Sequence, residues 1–155
     1  MDKIEELLNN PKTDLQKQAL TDKSYKKTPN HQGSKINFEL ATYGDAILKC
    51  ALCKIYFEKE NKDNFGFKGK LTEWKKQYES DEVLVKFIAR HYDILNFLNF
   101  DSGDTKKPQD YKYEDKNAKR RYKYIATAME ACIAAVYIEN GESEVIEIVK
   151  KWKRW

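Results

Sequence analysis

The sequence is poor in cysteine and in the residues that interrupt helices. It holds six glycines and three prolines in 155 residues, which permits long helices. Its cysteines, at 50, 53 and 132, are too few for a disulfide framework and indicate reduced thiols. No apolar run is long enough to span a membrane, and acids among the apolar residues of 1–9 argue against a signal peptide. We therefore expect a cytoplasmic protein without a membrane segment.

The residues that are present favour one globular domain over 1–155 with an uneven positive charge. Hydrophobic residues make up 41% and charged residues 35% of the chain, and the formal net charge is +4. Residues 105–123 contain eight bases and three acids, and 150–155 contain four bases and no acid. Such clustering suits a polyanionic partner, although a solvated lysine-rich face would look the same. Charge alone does not decide between the two.

Apolar spacing predicts an all-α fold, because no stretch alternates in the manner of a strand. Thr13 with Gln16 indicates the capped start of a helix that ends near Leu20, and Ser80 can cap another helix, with Val83, Leu84, Phe87 and Ile88 as its apolar stripe. Two long helices are predicted over 37–58 and 115–138 and shorter ones over 71–78 and 142–155.

Each long helix carries an acid in a mostly apolar row. Asp45 has Phe38, Ala41, Leu48 and Leu52 as helical neighbours, together with Lys49, and an unpaired buried carboxylate is costly. Gly44 beside it weakens the helix, so its presence suggests close packing against the backbone. Glu130 lies between small and apolar residues of the second long helix.

Two carboxylates on two packed helices would suit a Mg²⁺ ion, which takes oxygen ligands and keeps several waters. The alternative is an ordinary acid that pairs with Lys or Arg or faces solvent, and pattern alone favours that alternative. Cys50-x-x-Cys53 has metal-site spacing but lies within a helix with no second pair, so we interpret it as core packing. His31 and His91 are interpreted as incidental.

Three segments resemble motifs of the ribonuclease III family, and they occur in the same order as in that family. They are 19–25 (ALTDKSY), 39–48 (ELATYGDAIL) and 126–137 (ATAMEACIAAVY). The resemblance implies the all-helical endonuclease-domain fold, a divalent metal held by Asp45 and Glu130, and hydrolysis of double-stranded RNA to 5′-phosphate and 3′-hydroxyl ends.

Several positions depart from the family pattern. Ala41 and Thr127 stand where the family carries two further metal-site acids, and Phe38 and Lys68 replace two supporting acids. Mini-ribonuclease III enzymes are similar in two of these substitutions, since they keep only the Asp and the Glu. They also lack a double-stranded RNA-binding domain, and we expect none in this chain.

We therefore expect a homodimeric endoribonuclease for double-stranded or structured RNA that uses Mg²⁺, for which Mn²⁺ can substitute. The alternatives are a non-catalytic RNA-binding or ribosome-associated scaffold with a degenerate site, and a pure dimerisation module. Candidate dimer-interface residues lie near the start of the first long helix, at Phe38, Ala41, Thr42 and Tyr43. Candidate RNA-binding residues precede Glu130 and are Lys116, Lys119, Arg120, Arg121 and Lys123.

Overall fold

The predicted all-α fold is confirmed in a computed structural model that describes residues 1–27, 29–59, 69–100 and 122–152. The only β-type pairing within these ranges is an isolated bridge between Thr21 and Asn99. None of the helices in the described ranges is both long and apolar enough to cross a membrane. The helices are α1 (Lys3–Asn9), α2 (Asp14–Ala19), α3 (Phe38–Lys59), α4 (Lys70–Glu79), α5 (Asp81–Val83) with a π-helical continuation (Leu84–Ala89), α6 (Lys123–Asn140) and α7 (Glu142–Trp152).

Helix α6 lies at the centre of the core and packs most extensively against α3. Its small side chains allow other helices to approach it closely on more than one side. The residues that α3 contributes to the core come from its apolar stripe. The buried residues of α6 are Ile125, Ala126, Ala128, Met129, Ala131, Cys132, Ile133, Ala134, Ala135 and Val136.

Helices α3 and α6 approach each other closely at Gly44. A Cβ atom added there would lie 1.8 Å from the carbonyl oxygen and 2.5 Å from the carbonyl carbon of Glu130. No side chain fits at that distance, so glycine is required by space rather than by its backbone torsion. The close backbone approach that Gly44 suggested is therefore present, and its partner is the backbone of Glu130.

The helix that Ser80 caps has a different buried face from the one expected. The Ser80 hydroxyl accepts a hydrogen bond from the Val83 amide, as predicted. However, Leu84–Ala89 is π-helical, and its wider turn shifts the apolar stripe. Val85 and Ala89 are buried, whereas the predicted core residue Phe87 is 59% exposed.

A buried hydrogen-bond chain joins α1 to α7. The Trp152 indole donates to the Tyr92 hydroxyl at 3.3 Å, and that hydroxyl donates to the Asp2 carboxylate at 2.8 Å. Asp2 also caps α1, accepting from the Ile4 and Glu5 amides at 3.0 Å each. Burial raises the pKa of the Tyr92 hydroxyl above its ordinary value. Helix α1 was not predicted from the sequence, although Asp2 with Glu5 forms a capping box.

The cysteines are free, as expected, but only one lies in the core. Cys132 is buried, and burial raises the pKa of its thiol to about 12. Cys50 is exposed on α3 and Cys53 is half-buried. The core-packing interpretation was therefore wrong for Cys50, because its position falls on the outer face of α3.

Replacing Gly44 with Ala should destabilise the protein by about 3 kcal/mol or more, because the new methyl group overlaps backbone atoms that cannot move aside. Gly33→Ala is the matched control, since no atom lies within 4 Å of an added Cβ there. Urea denaturation followed by circular dichroism measures both variants. Equal stability of the two variants would contradict the packing described here.

Candidate functional site

A cavity of about 710 Å³ opens between α3, α6 and the α4–α5 segment. Asp45 and Glu130 both line it, so the two acids singled out in the sequence lie in one place. Its lining is mixed in charge, with five carboxylates and three lysines. The lining residues are Phe38, Ala41, Thr42, Asp45, Lys49, Lys76, Glu79, Ser80, Asp81, Glu82, Lys123, Ala126, Thr127 and Glu130.

The Gly44 contact explains why the two acids share this cavity. Gly44 touches the backbone of Glu130, and Asp45 is the next residue along α3. Asp45 and Glu130 are both only partly buried, so each carboxylate can reach the cavity without losing all contact with water. The helix crossing therefore sets both the separation and the common direction of these side chains.

Asp45 has a cationic partner on its own helix. The Lys49 ammonium lies 2.5 Å from the Asp45 carboxylate, one helical turn away. The alternative interpretation of Asp45 as an acid paired with lysine is thus realised in this structure. The pair is not buried, since the Asp45 side chain is 35% exposed and that of Lys49 is 45% exposed. An ion pair this accessible to water is weak and exchangeable.

Glu130 has a strongly perturbed carboxyl group. Burial raises its pKa to about 7, and the negative charges of Asp45 and Asp81 act in the same direction. The positive charges of Lys123 and Lys49 oppose this rise only in part. No hydrogen bond or ion pair to the Glu130 carboxylate is found among the described residues. A cation entering the cavity would relieve this repulsion, because it would neutralise negative charge that the lysines offset only in part.

The donor set fits a hydrated Mg²⁺ ion better than an ion that needs many protein ligands. In the described part of the chain, no three His, Cys, Asp or Glu side chains lie close enough to hold a metal together. Mg²⁺ usually keeps several waters and binds proteins through one or two carboxylates plus substrate phosphates. Asp45 and Glu130 can supply those carboxylates, and the cavity has room for the waters and a phosphate group.

The two positions where the family carries further acids also line the cavity. Ala41 and Thr127 lie on its walls without a carboxylate, which leaves the space for water or ligand. Ala41 is only 4% exposed, so its assignment to a dimer interface needs correction. It faces α6 and the cavity, because it is one helical turn before Asp45 on the same side of α3.

Several charged residues of the cavity were not recognised in the sequence. Asp81 and Glu82 follow the cap residue Ser80, where acids are common for helix stability alone. Lys76 and Glu79 belong to the half-exposed helix α4, whose pattern is that of an ordinary amphipathic surface helix. Only the approach of α4 and α5 to α3 and α6 assigns them to the site.

The candidate RNA-binding residues are described in part. Lys123 is exposed at the start of α6 and lines the cavity. It lies on the same face of α6 as Thr127 and Glu130. The candidates Lys116, Lys119, Arg120 and Arg121 lie outside the described residues.

Replacing Glu130 with Gln should stabilise the metal-free protein above neutral pH. The folded protein holds the Glu130 proton up to about pH 7, whereas the unfolded chain loses it near 4.5, so wild-type stability falls as pH rises between these values. The neutral amide avoids that loss. Solvent screening reduces the gain, which we expect to be on the order of 1–2 kcal/mol at about pH 8 and near zero at about pH 5.

Urea denaturation in EDTA at both pH values measures this effect. Glu73→Gln, at an exposed position on α4, controls for the general loss of one negative charge. A gain of the same size at both pH values, or none at the higher pH, would contradict the electrostatic description of Glu130.

Comparison with known proteins identifies the family to which this fold and cavity belong. The family model described as Ribonuclease-III-like matches residues 12–153. A ribonuclease 3 of Actinobacillus pleuropneumoniae is 30% identical over 135 residues, which cover 87% of this chain and 52% of the relative. A ribonuclease 3 of Histophilus somni is 27% identical over 154 residues, covering 98% and 60%. The chain thus spans between half and two thirds of the length of these curated relatives.

A solved structure agrees with the sequence relatives. The nuclease domain of ribonuclease III from Campylobacter jejuni, whose study concerned flexibility in a region involved in dimer formation, superposes with a TM-score of 0.69 at 25% identity. The superposition covers 97% of this chain and 93% of that domain. Because the family model covers nearly the whole chain, the resemblance of the three ordered motifs is confirmed, and this chain belongs to the ribonuclease-III-like family.

Proposed function

We propose that this chain is a metal-dependent endoribonuclease that acts on double-stranded or structured RNA. The observation that carries the proposal is the meeting of Asp45 and Glu130 in one cavity on a ribonuclease III fold. Both are the acids that mini-ribonuclease III enzymes keep. The relatives named ribonuclease 3 support the reaction class.

In this proposal Asp45 and Glu130 hold one Mg²⁺ ion, and Mn²⁺ can take its place. When bound, such an ion supplies an activated water and neutralises charge that develops on a phosphodiester. The protein's own part is to hold the two carboxylates in place through the Gly44 contact. The Thr127 hydroxyl on the cavity wall can hydrogen-bond a water or a phosphate oxygen. Lys76 and Lys123 bring positive charge to the same cavity, where it can offset RNA phosphates.

The basic segment before α6 is proposed as the remainder of the RNA-binding surface. Lys116, Lys119, Arg120 and Arg121 precede Lys123 in the sequence, and Lys123 lies at the cavity. Duplex RNA is recognised chiefly through phosphates and 2′-hydroxyls, so several separate cations suffice. These contacts would lead the backbone of the duplex past Asp45 and Glu130.

A non-catalytic RNA-binding scaffold is the second candidate. Ala41 and Thr127 supply no carboxylate, and Asp45 is paired with Lys49. Both observations would also be expected of a site that no longer cuts. The two candidates differ in a single measurable property, which is Mg²⁺-dependent cleavage of a bound duplex.

Asp45→Asn and Glu130→Gln should each reduce Mg²⁺-dependent cleavage of a labelled RNA duplex by about 100-fold or more, because each removes a charge that holds the ion. Glu73→Gln should cleave like the wild type. RNA affinity is measured in parallel by fluorescence anisotropy in EDTA, where all four proteins should bind alike. Binding without cleavage by the wild type would instead support the scaffold, and cleavage unaffected by both substitutions would move the active site elsewhere.

We also propose that the chain forms a homodimer through exposed residues of the N-terminal part of α3. Phe38 is 61% exposed and Tyr43 is 46% exposed, and Thr42 between them is exposed as well. Large exposed apolar side chains close together at one end of a helix are typical of an interface, and a two-fold dimer is the common solution. In such a dimer two cavities could act on opposite strands of one duplex.

Tyr43→Glu should convert the dimer to a monomer, because it places a charge in the apolar contact. Phe87→Glu is the control, since Phe87 is an exposed aromatic residue on the π-helical segment, outside α3. Multi-angle light scattering at micromolar concentration measures the mass of each protein. A monomeric wild type, or a dimer that survives Tyr43→Glu, would contradict this interface.

A further inference from the structure

The lysine paired with Asp45 lies within the electrostatic field of the proposed cation site. Its ammonium is 2.5 Å from the Asp45 carboxylate. The hydrogen bond to Asp45 raises the pKa of Lys49, and the charges of Asp45, Glu79 and Glu130 raise it further. These three acids belong to α3, α4 and α6, and all line the cavity. Lys49 therefore interacts with the same carboxylates with which a bound divalent cation would interact.

The position of Lys49 on α3 is what brings it there. It follows Asp45 by four residues, so the two side chains lie on one helical face. Lys54, five residues later on the same helix, instead pairs with Glu142 of α7, away from the cavity. Among the ion pairs of the described residues, α3 thus contributes two exposed lysines, of which only Lys49 lines the site.

We propose that Lys49 is a tethered counter-cation that competes with the divalent ion for Asp45 and thereby sets the metal affinity of the site. This proposal rests on the proposed function, because it assumes that Asp45 is a metal ligand. An ammonium hydrogen-bonded to Asp45 takes up part of the coordinating capacity of that carboxylate. It also repels a doubly charged ion that approaches Asp45 and Glu130.

The competition is reversible, because Lys49 is held loosely. Its side chain is 45% exposed and ends a flexible four-carbon stem, so it can turn into solvent at little cost. Exposed ion pairs of this kind contribute little to stability. The lysine therefore weakens metal binding without blocking it, and it keeps the acid cluster partly neutralised when no metal is bound.

The test compares Mn²⁺ affinity of the full chain with Lys49→Gln, Lys49→Arg and Lys54→Gln. Lys49→Gln should bind Mn²⁺ roughly threefold to tenfold more tightly than the wild type, because one positive charge beside the ion is removed. Lys49→Arg keeps that charge and should bind like the wild type or more weakly. Lys54→Gln makes the same change in net charge outside the cavity and should change affinity by less than about twofold.

Free Mn²⁺ is measured by electron paramagnetic resonance, with Asp45→Asn as the reference that locates the ion. The Mn²⁺-induced rise in melting temperature gives a second readout that does not depend on RNA cleavage, and melting in EDTA shows that each variant is folded. The Mn²⁺-induced rise in melting temperature should be larger for Lys49→Gln than for the wild type.

The possible outcomes distinguish a failure of the role proposed for Lys49 from a failure of the metal site itself. Unchanged or weaker Mn²⁺ binding by Lys49→Gln, with binding by the wild type that is lost in Asp45→Asn, overturns the role of Lys49 and leaves the proposed metal site intact. An equal gain in Lys54→Gln assigns the effect to net charge and also overturns it. No Mn²⁺ binding by any variant overturns the metal site together with this proposal.

Discussion

The contact between Gly44 of α3 and the backbone of Glu130 in α6 is the constraint on which the site depends. Because Gly44 lacks a side chain, the two helices approach until the space for a Cβ is filled by the Glu130 carbonyl group. This crossing point lies next to Asp45, one candidate metal ligand, and at Glu130, the other. Packing and site geometry therefore cannot be varied independently here, and any residue larger than glycine would alter both at once.

The electrostatics of the cavity oppose the stability of the fold. Burial and the charges of Asp45 and Asp81 keep the pKa of Glu130 near 7, so its charged form is disfavoured in the folded protein. Lysines at the rim offset this only in part. A protein that places acids in this way loses stability unless a cation binds, which is the usual relation between functional sites and stability. The reduced set of acids, with Ala41 and Thr127 in place of carboxylates, limits that loss.

Much of the fold was predictable because the spacing of apolar residues identifies long amphipathic helices in a sequence. The two long stripes, the cap at Ser80 and the terminal amphipathic helix appear in the described residues. The second long helix, predicted over 115–138, begins only at Lys123, because Tyr122 is its non-helical N-cap. The errors share a physical cause, which is the dependence of a helix face on its neighbours. Phe87 is exposed because a π-helical turn shifts the register, and Ala41 is buried on the side of α3 that lines the cavity. Neither the π turn nor the direction of packing leaves a signal in apolar spacing.

The sequence by itself determined the helical class, the family motifs and the two acids, because each is a local pattern or an ordered set of residue types. It also indicated a close approach at Gly44, since a glycine within a helix needs a reason. Only the tertiary structure decided that the partner at Gly44 is Glu130, that Asp45 is paired with Lys49, and that α4 and α5 bring Lys76 and Asp81 to the cavity. These relations depend on how separate helices cross, and a crossing is set by side-chain packing over the whole core rather than by any one segment.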